Sequence, residues 1–273
     1  MNSYFNLRLS LIEEIHMKTR HVVLQDQSKL NLTLAQLDSV AQALQTQLDR
    51  DFTPVWGVRA LVHAIDRNQA VPHGAWPMRI LDQSQAGLGV HLDNHGKPFA
   101  EIEAGTDWTI TASHELLEML VDPLGKKLIS DKDIDPASDG HQVQYLVEVG
   151  DPVEVFAYQI NGVSLSDFIT PEYYDLNAAP GTSYDFLNQL QSALEVPAGC
   201  YISWFDPQDG RWHQKQPDGS FITAQAKANF EKNPRDERDA AFTDDENATR
   251  HDQLRIRSRY NAAQASRKAA GQK

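Results

Sequence analysis

The chain has 273 residues, a single cysteine and a formal net charge of −13, with 41% hydrophobic residues. That length suffices for one large domain or two small ones with a sizeable core. The acidic balance excludes nucleic acid and anionic membrane as the main partner, because phosphate binding needs a basic surface. The lone Cys200 excludes an intrachain disulfide and a cysteine-based zinc cluster.

Residues 1–20 read as an N-terminal extension. They hold no apolar signal core, since Glu13 and Glu14 interrupt it, and Met17 is a second candidate start. No stretch approaches the roughly 18 apolar residues of a membrane span. The expected compartment is the cytoplasm.

Taken in chain order, HVVLQD (21–26) predicts a strand. Leu34, Leu37, Val40, Ala41, Leu44 and Leu48 then recur at helical spacing behind Thr33, a suitable N-cap, and Pro54 is expected to stop that helix. Residues 55–65 and 76–83 read as strands separated by a loop around Pro72 and Gly74. Residues 89–102 predict a hairpin through Asp93-Asn94-His95-Gly96. A helix over 107–122 ends at Pro123. Strands follow at 143–150 and 153–160, and Asn161-Gly162 turns the second into a hairpin. A helix over 183–195 and a hairpin over 200–212 complete the globular part, residues 21–225. Residues 226–273 are charged and rich in Ala and Gln, which predicts a helical or disordered tail outside the core.

The helix at 107–122 carries the chemistry. It contains His114-Glu115-x-x-Glu118, one residue away from HExxH. At about 100° per residue, His114, Glu118, Asp122 and Glu115 share one stripe about 100° wide, opposite an apolar face. The ordinary reading is an amphipathic helix with a solvated stripe. The chemical reading is a metal site. Side chains at i and i+4 lie about 6 Å apart and can close on one ion. His114 and Glu118 would then hold Zn2+, or another divalent metal given the carboxylate ligand, and Glu115 would be the general base.

A tetrahedral site needs a third protein ligand. Asp122 lies about 12 Å along the axis from His114, so it reads as a supporting group. It opposes the helix dipole at the C-terminus, or simply ends the helix as an Asp-Pro pair. Downstream, YLVEVGDPVE offers Glu148, Asp151 and Glu154 around a turn; as plain structure these are solvent-facing carboxylates. Glu148 is the expected third ligand, with Asp151 a supporting group or the alternative, and His141 a further alternative. His91, on the strand before the helix, is a candidate for contacting substrate or an oxyanion; most strand histidines simply have a local partner. Tyr145, Tyr158, Tyr173 and Tyr174 include possible oxyanion donors, with nothing to select one. Cys200 reads as a buried structural thiol.

SHELLEMLVDP followed by YLVEVGDPVE and SLSDFITPEYY resembles a set of bacterial zincin-like proteins. More distantly, the same pattern is similar to that of the plant phosphate-induced, exordium-type proteins. The likeness spans about residues 20 to 205. It implies an α+β fold of zincin type: a mixed β-sheet, an active-site helix beneath it, and an edge strand along the cleft where an extended substrate pairs. It supports His114, Glu115 and Glu118, and more loosely Glu148 and Asp151. It departs from classical zincins in placing Glu118 where they carry histidine. The expected function is a zinc-dependent hydrolase acting on a peptide or small-molecule substrate. The rival readings are a metal-binding protein without turnover, and a structural or interaction domain.

Overall fold

The computed structural model describes residues 19–85 and 87–225, together with Pro234, Arg235 and Arg238. The expected extension and tail otherwise lie outside the described residues, although Arg20 already opens the first strand. The fold is α+β. Strands β1 (Arg20–Asp26), β2 (Ala60–Ala64), β3 (Trp76–Leu81), β4 (Gly89–Asp93) and β5 (Pro98–Glu103) form a mixed sheet in the order β2-β1-β3-β5-β4. β1 runs parallel to β2 and β3, and β3 parallel to β5; β4 alone is antiparallel, as the outer arm of the β4–β5 hairpin. Val22 to Asp26 are buried without alternation, as expected of an inner parallel strand covered on both faces. His95 and Gly96 take positive φ in the β4–β5 turn.

Helix α1 (Leu34–Gln47) opens with a closed capping box. The Thr33 hydroxyl accepts the Gln36 amide, and the Gln36 side chain accepts the Thr33 amide. Pro54 does not stop the helical path, contrary to expectation. A π-turn over Leu48–Phe52 leads into a short helix, α2 (Thr53–Trp56), which ends at Gly57 with φ 69°. Pro54 falls in the first turn of α2, where its missing N–H loses no bond. Val55 and Trp56 are therefore helical, and the strand expected over 55–65 shrinks to β2.

Helix α3 (Trp108–Val121) packs against β4 and β5 of the sheet. Beyond it come β6 (Leu128–Lys132) and β7 (Gln142–Leu146). The strand expected over 143–150 ends at Leu146, because the chain turns through Gly150 into a 3-10 turn, Asp151–Val153. The next strand likewise starts only at Ala157. β8 (Ala157–Ile160) and β9 (Val163–Ser166) form a hairpin through Asn161-Gly162, and β9 covers α3. With β10 (Ile202–Asp206), β11 (Arg211–Lys215) and β12 (Phe221–Gln225), β6 and β7 build an antiparallel sheet in the order β12-β11-β10-β7-β6.

One core joins these layers. Leu24, Ile80, Ala100 and Ile102 from the sheet meet Leu37 and Leu44 from α1 and Leu116 and Leu117 from α3. The helix expected over 183–195 does not form. The Asp185 carboxylate accepts the amides of Gln189 and Leu190, and Glu195 accepts those of Gln191 and Ser192. Side chains take the donors a helix would have used, and Asn188 and Leu194 sit at φ 54° and 55°.

Asp26 pins the loop into α1. Its buried carboxylate accepts from the Ser28 amide and hydroxyl, the Leu32 amide and Arg67. Burial pushes this carboxyl up, but those donors outweigh burial and hold it below the usual carboxylate range. A depressed folded-state value contributes stability above the unfolded value of about 3.9 and loses it as pH falls through the folded value. Asp26→Asn should therefore cost about 1–3 kcal/mol near neutral pH. Urea titrations of the two proteins should converge as pH falls below about 4.

Candidate functional site

Helix α3 has no solvated stripe. Every residue from Ile110 to Val121 is buried, because the sheet lies on one side and the β8–β9 hairpin on the other. His114 is 8% exposed, Glu115 5% and Glu118 3%. Burying three ionisable groups on one helix is costly unless they answer one another or an ion.

Three segments meet over this helix. From α3 come His114, Glu115 and Glu118; from β4, His91; from the turn after β7, Glu148 and Asp151. All six are buried. His114 Nε2 lies 3.3 Å from Glu118 Oε2 and 3.3 Å from Asp151 Oδ1. His91 Nδ1 lies 3.4 Å from Glu115 Oε2 and 3.5 Å from Glu118 Oε2, while its Nε2 faces Glu148 Oε2 at 3.6 Å. Glu118 thus stands between two groupings that could hold a metal ion, His114–Glu118–Asp151 and His91–Glu115–Glu118. Arg238 approaches from the C-terminal segment, 3.9 Å from Glu148 Oε1 and 3.8 Å from Asp151 Oδ2.

Two glycines let the segments close. A Cβ on Gly150 would stand 2.4 Å from His114 Nδ1, and one on Gly89 would stand 2.6 Å from Glu115 Oε1. The Gly150 amide also donates to Glu118 Oε1 at 3.0 Å, which ties the turn to the helix. On the far side of α3, the Ser113 hydroxyl donates to Gln47 Oε1 and accepts the Ser166 amide, and Gln47 donates to the Ser166 carbonyl. This buried network joins α3 to α1 and β9 one residue before His114, so the helix cannot rotate without breaking it.

The electrostatics follow from crowding. Burial, together with the Arg235 charge, works against protonation of His91, but Glu148, Glu115 and Glu118 prevail and hold its value at about 9. Burial likewise opposes protonation of His114, and Glu118 and Asp151 override it, raising His114 well above the usual imidazole range. Burial pushes Glu118 up, yet the two imidazoles drive it far below the usual carboxylate range. Glu148 and Asp151 are both raised, by burial first and then by the Glu118 charge.

The residues named from the sequence divide clearly. His114, Glu115, Glu118, Glu148 and Asp151 converge, and His91 joins them on two sides. The preference between Glu148 and Asp151 is reversed: Asp151 reaches His114, and Glu148 reaches His91. Asp122 stays outside, because its two oxygens accept the Lys126 and Lys127 amides and close the end of α3. His141 is elsewhere, paired with Asp139 and Asp206 at 2.8 and 2.9 Å. The four tyrosines are engaged too: Tyr145, Tyr173 and Tyr174 donate to backbone carbonyls and Tyr158 to Asp51. Gly89, Gly150, Gln47 and the arginines were not singled out. Only the Gly-Asp-Pro turn carried a signal, since a glycine there permits close approach.

No family model matches the chain, and neither the curated proteins nor the solved structures include a match.

Gly150→Ala should push the His114 ring out of place and destabilise the protein by about 1–3 kcal/mol. Gly105, whose added Cβ would meet nothing within 4 Å, is the control. Gly105→Ala should change stability by less than about 0.5 kcal/mol, as read by chemical denaturation.

Proposed function

We propose that the chain is a zincin-like, metal-dependent hydrolase acting on peptide bonds, with Zn2+ or a similar dication held by His114, Glu118 and Asp151. The observation that carries this reading is the pair of 3.3 Å separations from His114 Nε2. They exceed the 2.7–2.9 Å typical of charge-assisted hydrogen bonds, about half an ångström too long for a tight pair. They equal the edge of a tetrahedron whose centre lies about 2.0–2.1 Å from each ligand, about 3.3 Å. The Gly150 cradle supports it further, since His114 is held on its Nδ1 side by a residue that has no side chain to obstruct it.

A dication in this position would supply Lewis acidity, polarising a carbonyl and a water for attack. The chain's own residues do the rest. His114 and Asp151 orient their donor atoms towards Glu118 Oε2. Glu115, one position along α3, keeps a carboxylate beside this grouping. There it takes the proton of the attacking water and later passes it to the leaving amine. His91 Nδ1, 3.4 Å from Glu115 Oε2, orients that carboxylate. β4 lies at the sheet edge, and its outer side offers backbone groups to an extended peptide. Gly89 opens that edge towards Glu115. The zincin-like assignment rests on this order of a mixed sheet, an antiparallel edge strand and a helix carrying HExxE.

Zinc-loaded protein should hold about one equivalent of metal after gel filtration, and both His114→Ala and Asp151→Asn should lose it. Glu115→Gln should keep the metal and lower peptide turnover about 10²–10⁴-fold, followed by mass spectrometry of a peptide library. Wild-type protein that binds zinc but cleaves nothing would leave a metal-binding protein without turnover.

A further inference from the structure

A second group of metal-ligand side chains lies in the antiparallel sheet, apart from α3. The loop between β6 and β7 supplies Asp133 and His141, and Asp206 ends β10. One ligand atom from each lies within 4.8 Å of the others. The loop is closed at its base, where the Asp133 amide donates to the His141 carbonyl at 2.9 Å. β10 pairs with β7 beside it. Backbone bonds thus hold all three positions together.

His141 carries the argument. Its Nδ1 lies 2.8 Å from Asp139 Oδ1, and its Nε2 lies 2.9 Å from Asp206 Oδ2. The second distance would suit a hydrogen bond, but the direction does not: Nε2 is buried and has no hydrogen-bond partner. A ring that donates Nδ1–H to Asp139 keeps its lone pair on Nε2, so two acceptors stand side by side at 2.9 Å. A cation answers both at once. Two ligand atoms about 2.0–2.1 Å from one ion, at right angles to each other, are about 2.9 Å apart. Each carboxylate spends one oxygen on its own turn. Asp133 Oδ1 accepts the Asp135 amide at 2.9 Å, and Asp206 Oδ1 accepts the Gln208 amide at 2.7 Å. Asp139 completes the pattern, since a carboxylate on the far ring nitrogen fixes the tautomer of a metal-binding histidine.

We propose that Asp133, His141 and Asp206 hold a transition-metal dication such as Zn2+, in a structural site separate from the one on α3, with Asp139 positioning His141. The imidazole favours such an ion over Ca2+, which takes oxygen ligands. The ion ties the β6–β7 loop to the end of β10. His141 leads into β7 and Glu148 lies just past its end, so the ion braces the strand that carries the turn to α3. Asp133 and His141 are half-buried, so the ion exchanges with water during gel filtration and its binding is read at equilibrium. The inference does not depend on the hydrolase reading.

The test is equilibrium dialysis of the full-length chain against micromolar zinc, with bound metal counted by mass spectrometry. The His114→Ala protein should still bind about one equivalent. Adding His141→Gln or Asp206→Asn should remove it. If His114→Ala does not fold, the same two changes made in the wild-type chain should each lower its total by about one equivalent. The Asp139 side chain is 79% exposed, so Asp139→Asn spares the core; it should weaken zinc at this site about 10- to 100-fold. Asp209→Asn, which removes a ligand from the neighbouring grouping Asp206–Asp209–His213, should leave the count unchanged. A count that His141→Gln does not lower, an affinity that Asp139→Asn does not change, or a loss caused by Asp209→Asn would overturn the proposal.

Discussion

Four carboxylates and two imidazoles share one buried volume, and this crowding of charge governs the architecture around it. Glu115, Glu118, Glu148 and Asp151 could not be buried together unless positive charge met them. The molecule supplies part of that charge from distant places in the chain. His91 comes from the edge strand, His114 from the helix, and Arg235 and Arg238 from beyond the second sheet. They lie in three different segments, so the fold must bring the first sheet, α3, the turn after β7 and the C-terminal segment together. The glycines at 89, 125 and 150 are the local consequence, because at each a single methyl group would keep two of those segments apart.

Much of this was legible in the sequence where the signal was local. The run HVVLQD, the N-cap at Thr33, and the turns at His95-Gly96 and Asn161-Gly162 are decided by nearest neighbours, and the elements formed where expected. The convergence of His114, Glu115 and Glu118 was legible for the same reason, because helical spacing alone puts them on one stripe. What that stripe faces was not. An amphipathic pattern predicts water on the polar side, and only the closure of β4 and the turn after β7 over that side of α3 turns it inward. The expected third partner of His114 is Glu148, with Asp151 and His141 as alternatives, and Asp151 is the one that lies 3.3 Å from it. Glu148 and Asp151 are three apart, and the 3-10 turn at Asp151 decides which carboxylate reaches the helix.

The failures share a cause as well. Pro54 reads as a stop only if the helix is regular; a π-turn shifts the register, and the ring falls where a ring is tolerated. The apolar spacing over 183–195 was helical, but Asp185 and Glu195 offered their carboxylates to the same amides and prevailed. In both places a side-chain or register effect outweighs a propensity of about tenths of a kcal/mol per residue. Arg235 and Arg238 were hidden by composition. A charged, Ala- and Gln-rich segment reads as solvated, and nothing in it announces that two of its arginines are buried.

Glu118 stands where HExxH carries its second histidine. Its surroundings explain it. Glu118 uses its two oxygens for two tasks: Oε1 accepts the Gly150 amide, and Oε2 faces His114 and His91. A neutral imidazole offers one acceptor nitrogen, and its other ring nitrogen is a donor. If that acceptor faced an ion, the donor would oppose the Gly150 N–H; if it took the amide, the ion would lose a ligand. The Gly150 turn also carries Asp151 to within 3.3 Å of His114. The residue that fastens the turn and the residue that completes the grouping are therefore linked through Glu118. With the turn bound to the helix in this way, the position requires a side chain that accepts twice, and a carboxylate supplies it.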